Sequence, residues 1–75
     1  MTRDFALRID SLLAGVRASL DSVNSYMKNN ISRNHISQQE YHELVTMLGK
    51  GMGETIKISQ WLYTQFPDIV PDELK

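Results

Sequence analysis

The sequence predicts an all-α fold, an antiparallel hairpin of two long helices followed by a short C-terminal tail. Apolar residues recur at helical spacing through both halves of the chain, a helix-start signal stands at Ser37, and no proline occurs before Pro67. We expect a single domain over residues 1–75. Its parts are a helix over about 3–29, a turn over about 30–36, a helix over about 38–66 and a tail over about 67–75.

The first helix follows from apolar residues that alternate at steps of four and three. They are Ile9, Leu13, Val16, Leu20, Val23 and Met27, with Phe5 and Leu12 on the same side. Thr2 is the expected N-cap. Asn29 and Asn30 suit the end of the helix, because asparagine tolerates the left-handed conformation that closes many helices.

The second helix has the clearest start in the chain. Ser37 is followed three residues later by Glu40, which is the spacing of a capping box, and Ile36 and Tyr41 have the spacing of a hydrophobic staple. The apolar stripe then runs through Tyr41, Val45, Leu48, Met52, Ile56, Ser59, Leu62 or Tyr63, and Phe66. Pro67 ends the helix, because the residue before a proline avoids helical geometry.

Three glycines interrupt this stripe in the segment MLGKGMGET, at Gly49, Gly51 and Gly53. The stripe keeps one helical phase across them, which favours a continuous helix although each interior glycine costs about 1 kcal/mol relative to alanine. The alternative is two helices, one ending near Leu48 and the next beginning near Glu54. The segment lacks the GxxxxGK[ST] spacing of a phosphate-binding loop, and no strand precedes it.

Small residues mark possible close contacts between helices. Gly15 and Ala18 belong to a line of small residues on the first helix, and Gly49 and Gly53 lie one turn apart on the second. Small side chains let another backbone approach closely. We predict close helix packing at these four positions, within the chain or across a dimer. The alternative for the Gly15 and Ala18 line is that it faces water.

The apolar surface exceeds what one hairpin can bury. Met47, Ile58 and Trp61 lie beside the main stripe of the second helix, and together with Tyr63 they form the predicted interaction surface. A chain of 75 residues also has a small core. We therefore expect a homodimer in which two hairpins form a four-helix bundle, or else a monomer that docks onto another, unidentified protein.

The tail is expected to return to the hairpin. Ile69 and Val70 supply apolar side chains that can fold back onto its end. Pro71, Asp72 and Glu73 can begin a last helical turn, because proline is favoured at the first position of a helix.

The chain offers little for catalysis. It has no cysteine, and His35 and His42 lack the spacing of paired metal ligands. The acidic residues are expected on helix flanks, where ion pairing or helix-end charge explains them. The predicted protein is a non-enzymatic interaction module of the adaptor, regulator or inhibitor type, with no cofactor, no metal and no small-molecule substrate.

The net charge is −1, which favours neither nucleic acid nor an anionic membrane as a partner. The predicted architecture resembles that of the Rop-type dimeric hairpins that bind RNA, without a shared motif, so an RNA- or DNA-binding regulator is the alternative function. One flank of the first helix carries three basic residues, Arg3, Arg17 and Lys28. Asp10 and Asp21 lie on the same flank, and their negative charges cancel much of the field that would attract a nucleic acid.

The start of the chain carries charged residues and no apolar run typical of a signal peptide, and no segment has the length of a membrane span. A cytoplasmic protein is expected. Small accessory proteins of bacteria and phages often have this size and architecture.

Overall fold

The computed structural model describes residues 1–74 and contains two long helices arranged as an antiparallel hairpin. α1 runs from Arg3–Asn29 and α2 from Gln38–Gln65. Two short 3₁₀ turns follow, at Pro67–Ile69 and Asp72–Leu74. The described residues contain no strand, so the all-α prediction is confirmed.

Side-chain caps begin both helices. The Thr2 hydroxyl accepts a hydrogen bond from the backbone N–H of Phe5 at 3.2 Å. At the start of α2, Ser37 Oγ accepts from the Glu40 N–H, and Glu40 Oε1 accepts from the Ser37 N–H, both at 3.0 Å. This reciprocal pair is the predicted capping box. The hydrogen bond from the Ser37 backbone, followed by that from its side chain, lowers the pKa of Glu40.

Asn30 organises the turn between the helices. Its side-chain amide donates to the Tyr26 carbonyl at 2.7 Å, and its Oδ1 lies 2.9 Å from His35 Nδ1. Asn30 itself keeps a right-handed backbone with a φ of −96°. The left-handed residue is Asn34, with a φ of 61°. The conformation that was expected at the helix end is therefore found four residues later, in the turn.

α2 passes through its three glycines without a break. Of the two alternatives, the structure therefore has the continuous helix. Nothing lies within 4 Å of a Cβ built at Gly15, Gly49, Gly51 or Gly53. The hairpin itself thus makes no close helix contact at the glycines, and such a contact across a dimer stays a prediction.

The apolar core lies at the end of the hairpin opposite the turn. Ala6 of α1, Leu62 of α2 and Ile69 of the tail are buried together, and Ile69 closes this end as predicted for the tail. Ile9, Leu13, Tyr63 and Phe66 pack against the three buried residues and remain half-exposed. The Arg3 guanidinium pairs with the Asp68 carboxylate and so ties the tail to the start of α1.

Glu40 makes one contribution to stability that depends on pH. Its pKa is lower in the folded protein than the ordinary value of 4.5, so this contribution is present above pH 4.5 and is lost as the pH falls through the folded pKa.

Glu40→Gln tests this contribution, because it removes the carboxylate. We expect the melting temperature of the native chain to exceed that of the variant at pH 6, with the difference shrinking towards pH 3. Glu43→Gln, one turn further along α2, should show a smaller change in this difference, and an equal change would contradict the capping role.

Gly49→Ala tests whether the open glycine positions merely weaken α2. A Cβ at position 49 meets no atom of the hairpin, so we expect the variant to raise the free energy of unfolding by up to about 1 kcal/mol. Urea denaturation monitored by circular dichroism measures the change. A loss of stability that grows with protein concentration would instead indicate a close contact at Gly49 in a dimer.

Candidate interaction surface

Hydrogen bonds between the helices show which side of each faces the other. Asn24 accepts a bond from the Tyr41 hydroxyl at 2.8 Å, and Asp10 accepts one from the Ser59 hydroxyl at 2.7 Å. On each helix, the side that faces the other helix also contains further buried or half-buried residues. Together with the four residues named above, they are Ala6, Asp10, Leu13, Arg17, Leu20 and Asn24 on α1, and Tyr41, Val45, Leu48, Met52, Thr55, Ser59 and Leu62 on α2. We call these two rows the seam.

Most of the large apolar side chains that immediately precede seam residues remain exposed, whereas Ile9, before Asp10, is half-buried against the core. The exposed ones are Phe5, Leu12, Val16 and Val23 on α1, and Leu44, Met47, Ile58 and Trp61 on α2. The preceding residue is rotated by about 100° around the helix axis. Because the helices run antiparallel, this step points to the same side of the hairpin on both. We call this side, defined by these eight residues, the open face.

The tail occupies the opposite side. Residues that follow seam positions meet there, as Asp21 and Gly49 do in a groove between the helices. Further along, Leu74 lines a cleft of about 360 Å³ together with Arg17, Ile56 and Gln60. The Arg3–Asp68 pair joins the tail to α1. The tail therefore lies on this side of the seam, where Ile56 and Leu74 remain exposed, and does not reach the open face.

The predicted interaction residues separate into two groups. Met47, Ile58 and Trp61 lie together on the open face, where Trp61 is 55% exposed. Tyr63 does not join them, because its hydroxyl is bonded to Asp10 and its ring lines the cleft on the tail side.

Sequence reasoning missed the contribution of α1 to this surface. Phe5, Leu12, Val16 and Val23 were assigned to the side that packs on α2, yet all four are exposed. A signal for this was present in the sequence. A second row of residues follows them directly and is the row that faces α2: Ala6, Leu13, Arg17 and Asn24. The predicted close-packing positions Gly15 and Ala18 are exposed on α1, away from the seam.

A polar cluster occupies the seam beside the apolar core. Asp10 is only 8% exposed. Besides the bond from Ser59, it accepts the Tyr63 hydroxyl, which lies 3.0 Å from both carboxylate oxygens. Arg17 Nη1 donates to Ser59 Oγ at 3.3 Å and to Thr55 Oγ1 at 3.4 Å. Arg17 thereby reaches the buried carboxylate through the Ser59 hydroxyl.

The sequence interpretation placed Asp10 on a flank of the first helix, and the structure adds that this position is buried against α2. The physical reason is that Ser59 and Tyr63 supply hydroxyl donors across the seam, so the carboxylate is hydrogen-bonded where it is buried. Partial burial, followed by the hydrogen bond to Asp10, raises the pKa of Tyr63 above 10.0. Ser59 is 4% exposed and donates to Asp10, so the cluster is a hydrogen-bonded network between the helices, and its members Arg17, Ser59 and Tyr63 also line the cleft on the tail side.

The two histidines lie outside both the open face and the polar cluster around Asp10. His35 contacts Asn30 in the turn, and His42 is exposed near the start of α2. Within residues 1–74, no three side chains among His, Asp and Glu are grouped so that they could hold a metal ion. Neither helix of the described chain is long and apolar enough to cross a bilayer.

Comparison with known proteins gives no match to a family model, to a curated protein or to a solved structure.

Asp10→Ala tests the polar cluster. The variant leaves the hydroxyls of Ser59 and Tyr63 without their buried acceptor, and we expect the free energy of unfolding to fall by about 2 kcal/mol. Urea denaturation measures the loss, with the exposed Asp4→Ala as the control. In a double-mutant cycle, Asp10→Ala and Tyr63→Phe should be less than additive, because both remove the same hydrogen bond. Full additivity would contradict the network.

Proposed function

We propose that the protein is a small non-enzymatic interaction module whose open face packs against the open face of a second copy, so that two hairpins form a homodimeric four-helix bundle. The observation that carries the proposal is the exposed apolar surface to which both helices contribute. Its eight large side chains stand on one side of the hairpin while three apolar side chains are buried within the described chain.

The dimensions of the hairpin support the proposal that a second layer of helices packs on the open face. The molecule measures 48 × 21 × 15 Å, which is one helix thick in its shortest direction. Its radius of gyration is 15.8 Å, whereas a compact chain of this length has about 11 Å. A second hairpin on the open face makes two layers, the arrangement of a four-helix bundle.

The exposed area supports a partner of matching size. A compact monomer of 8.6 kDa exposes about 4700 Å². This chain exposes 5622 Å². The excess of about 900 Å² is close to the roughly 800 Å² that each partner buries in a standard interface.

The residue types of the open face are those of interface centres. Trp and Met are enriched in such centres, and Trp frequently contributes most to affinity. Charged side chains are depleted in such centres, and on the open face the acidic Glu54 lies between Met47 and Ile58, where it pairs with Lys57. A contiguous exposed apolar surface of this kind marks a protein-binding site.

The RNA-binding alternative receives less support from the arrangement of charges. Of the three basic residues on the predicted flank, Arg3 pairs with Asp68, and Arg17 bonds hydroxyls in the seam. Lys28 is exposed, and a single lysine is a small part of the basic stripe that phosphate binding requires. An adaptor or regulator that acts by protein contacts is therefore the function that we propose.

Trp61→Ala tests the proposal. Removal of this large aromatic side chain should weaken the dimer by about 2 kcal/mol, or roughly 30-fold in its dissociation constant. Sedimentation equilibrium measures the constant for both proteins. Leu7→Ala is the matched control, because Leu7 is an exposed apolar residue outside the open face.

The native protein provides a second readout. Trp61 is the single tryptophan of the chain, so its emission should shift to shorter wavelength as dilute samples are concentrated. A native chain that sediments at 8.6 kDa at every concentration would overturn the homodimer. Equal effects of Trp61→Ala and Leu7→Ala would overturn the assignment of the surface.

A further inference from the structure

We infer that the two copies pair with their turns at the same end of the bundle, so that each α1 packs against α2 of the other copy. This inference rests on the proposed homodimer and adds its arrangement. Because both helices contribute to the open face, two symmetric pairings cover it. In the first, the two-fold axis runs along the helices. In the second, it crosses them, and then α1 packs on α1 and α2 on α2 with the turns at opposite ends.

Glu54 argues against the crossed axis. It directly precedes the seam residue Thr55, so it projects towards the open face, between Met47 and Ile58 along α2. An axis through the middle of the apolar surface brings the Glu54 carboxylates of both copies together. The Lys57 ammonium, 3.1 Å from Glu54, screens this repulsion without removing it, because both groups are exposed.

The axis along the helices places Glu54 in a different environment. The contact between Arg17 and Thr55 puts Glu54 level with the middle of α1, so in this pairing it lies beside that part of α1 in the second copy. No acidic residue occurs between Asp10 and Asp21. Gly15, in the same stretch, has open space around it and leaves room for a long side chain.

Trp61 and Arg8 favour the same pairing. The hydrogen bond between Asp10 and Ser59 shows that these two residues lie at the same height along the hairpin. Arg8 lies two residues before Asp10 and Trp61 two residues after Ser59, so Arg8 and Trp61 are level as well. Arg8 is three residues from Phe5 and four from Leu12, and therefore borders the open face.

When the two-fold axis runs along the helices, each residue lies at the same height along the bundle in both copies. Trp61 of one chain then meets Phe5 and Arg8 of the other, which forms an aromatic cluster with a guanidinium at its edge. The crossed axis places Trp61 opposite the turn-side half of the surface instead, where Val23 and Leu44 lie.

Distances between spin labels separate the two pairings. The native chain has no cysteine, so each variant carries one label site. Ser32→Cys labels the turn, and Thr64→Cys labels the opposite end of the hairpin. Both positions are exposed and lie off the open face. Double electron–electron resonance is measured on each labelled dimer and on a mixture of the two variants.

We expect short distances of roughly 10 to 25 Å, one to two helix spacings plus the label arms, in the Ser32 and Thr64 homodimers. The mixed dimer should add a long distance of about 40 Å, the length of α2. The reverse pattern, with both homodimers long and the mixed dimer short, would overturn the arrangement and leave the dimer intact. A labelled protein that gives no intermolecular distance and sediments as a monomer would overturn the proposed homodimer itself.

Discussion

The structure depends on the mismatch between the width of each apolar stripe and the width of the contact that one neighbouring helix can cover. On α1 the stripe is two residues wide, as in the pairs Phe5–Ala6 and Leu12–Leu13. α2 covers the second residue of each pair and leaves the first exposed. α2 shows the same division in Met47–Leu48 and Trp61–Leu62. The hairpin therefore buries one row on each helix, and the second row remains exposed.

The seam strengthens this dependence because it is partly polar. Asp10, Ser59 and Tyr63 occupy positions where a self-sufficient hairpin would place aliphatic side chains. Their hydrogen bonds satisfy the buried groups, but such networks contribute less net stability than apolar packing of similar size. They do fix the alignment of the two helices, because a slip of one turn would separate the Asp10 carboxylate from both of its hydroxyl donors. Alignment in turn decides which residues share the open face.

Local features of the fold were predictable from the sequence, whereas the assignment of residues to the two rows was not. Thr2, Ser37 and Glu40 act through atoms three residues away, so their caps can be read from spacing alone. The continuity of α2 followed from the unbroken phase of its apolar residues. The burial of Asp10 was not predicted, because its partners lie 49 and 53 residues away, and only the packed hairpin brings them together. The presence of Ser59 within an otherwise apolar row was the one local sign of a buried polar partner.

The single hairpin exposes Trp61 and Phe5 while it buries Asp10, the reverse of an ordinary globular chain. In the proposed dimer this reversal disappears, because the core is shared between the copies. In a bundle closed over the open face, the two exposed rows become the central layer. The cluster around Asp10, which lies towards the tail, then forms the outer edge of that core. In the proposed dimer each hairpin would be half of a folded unit, and its polar seam would align the half that the second copy completes.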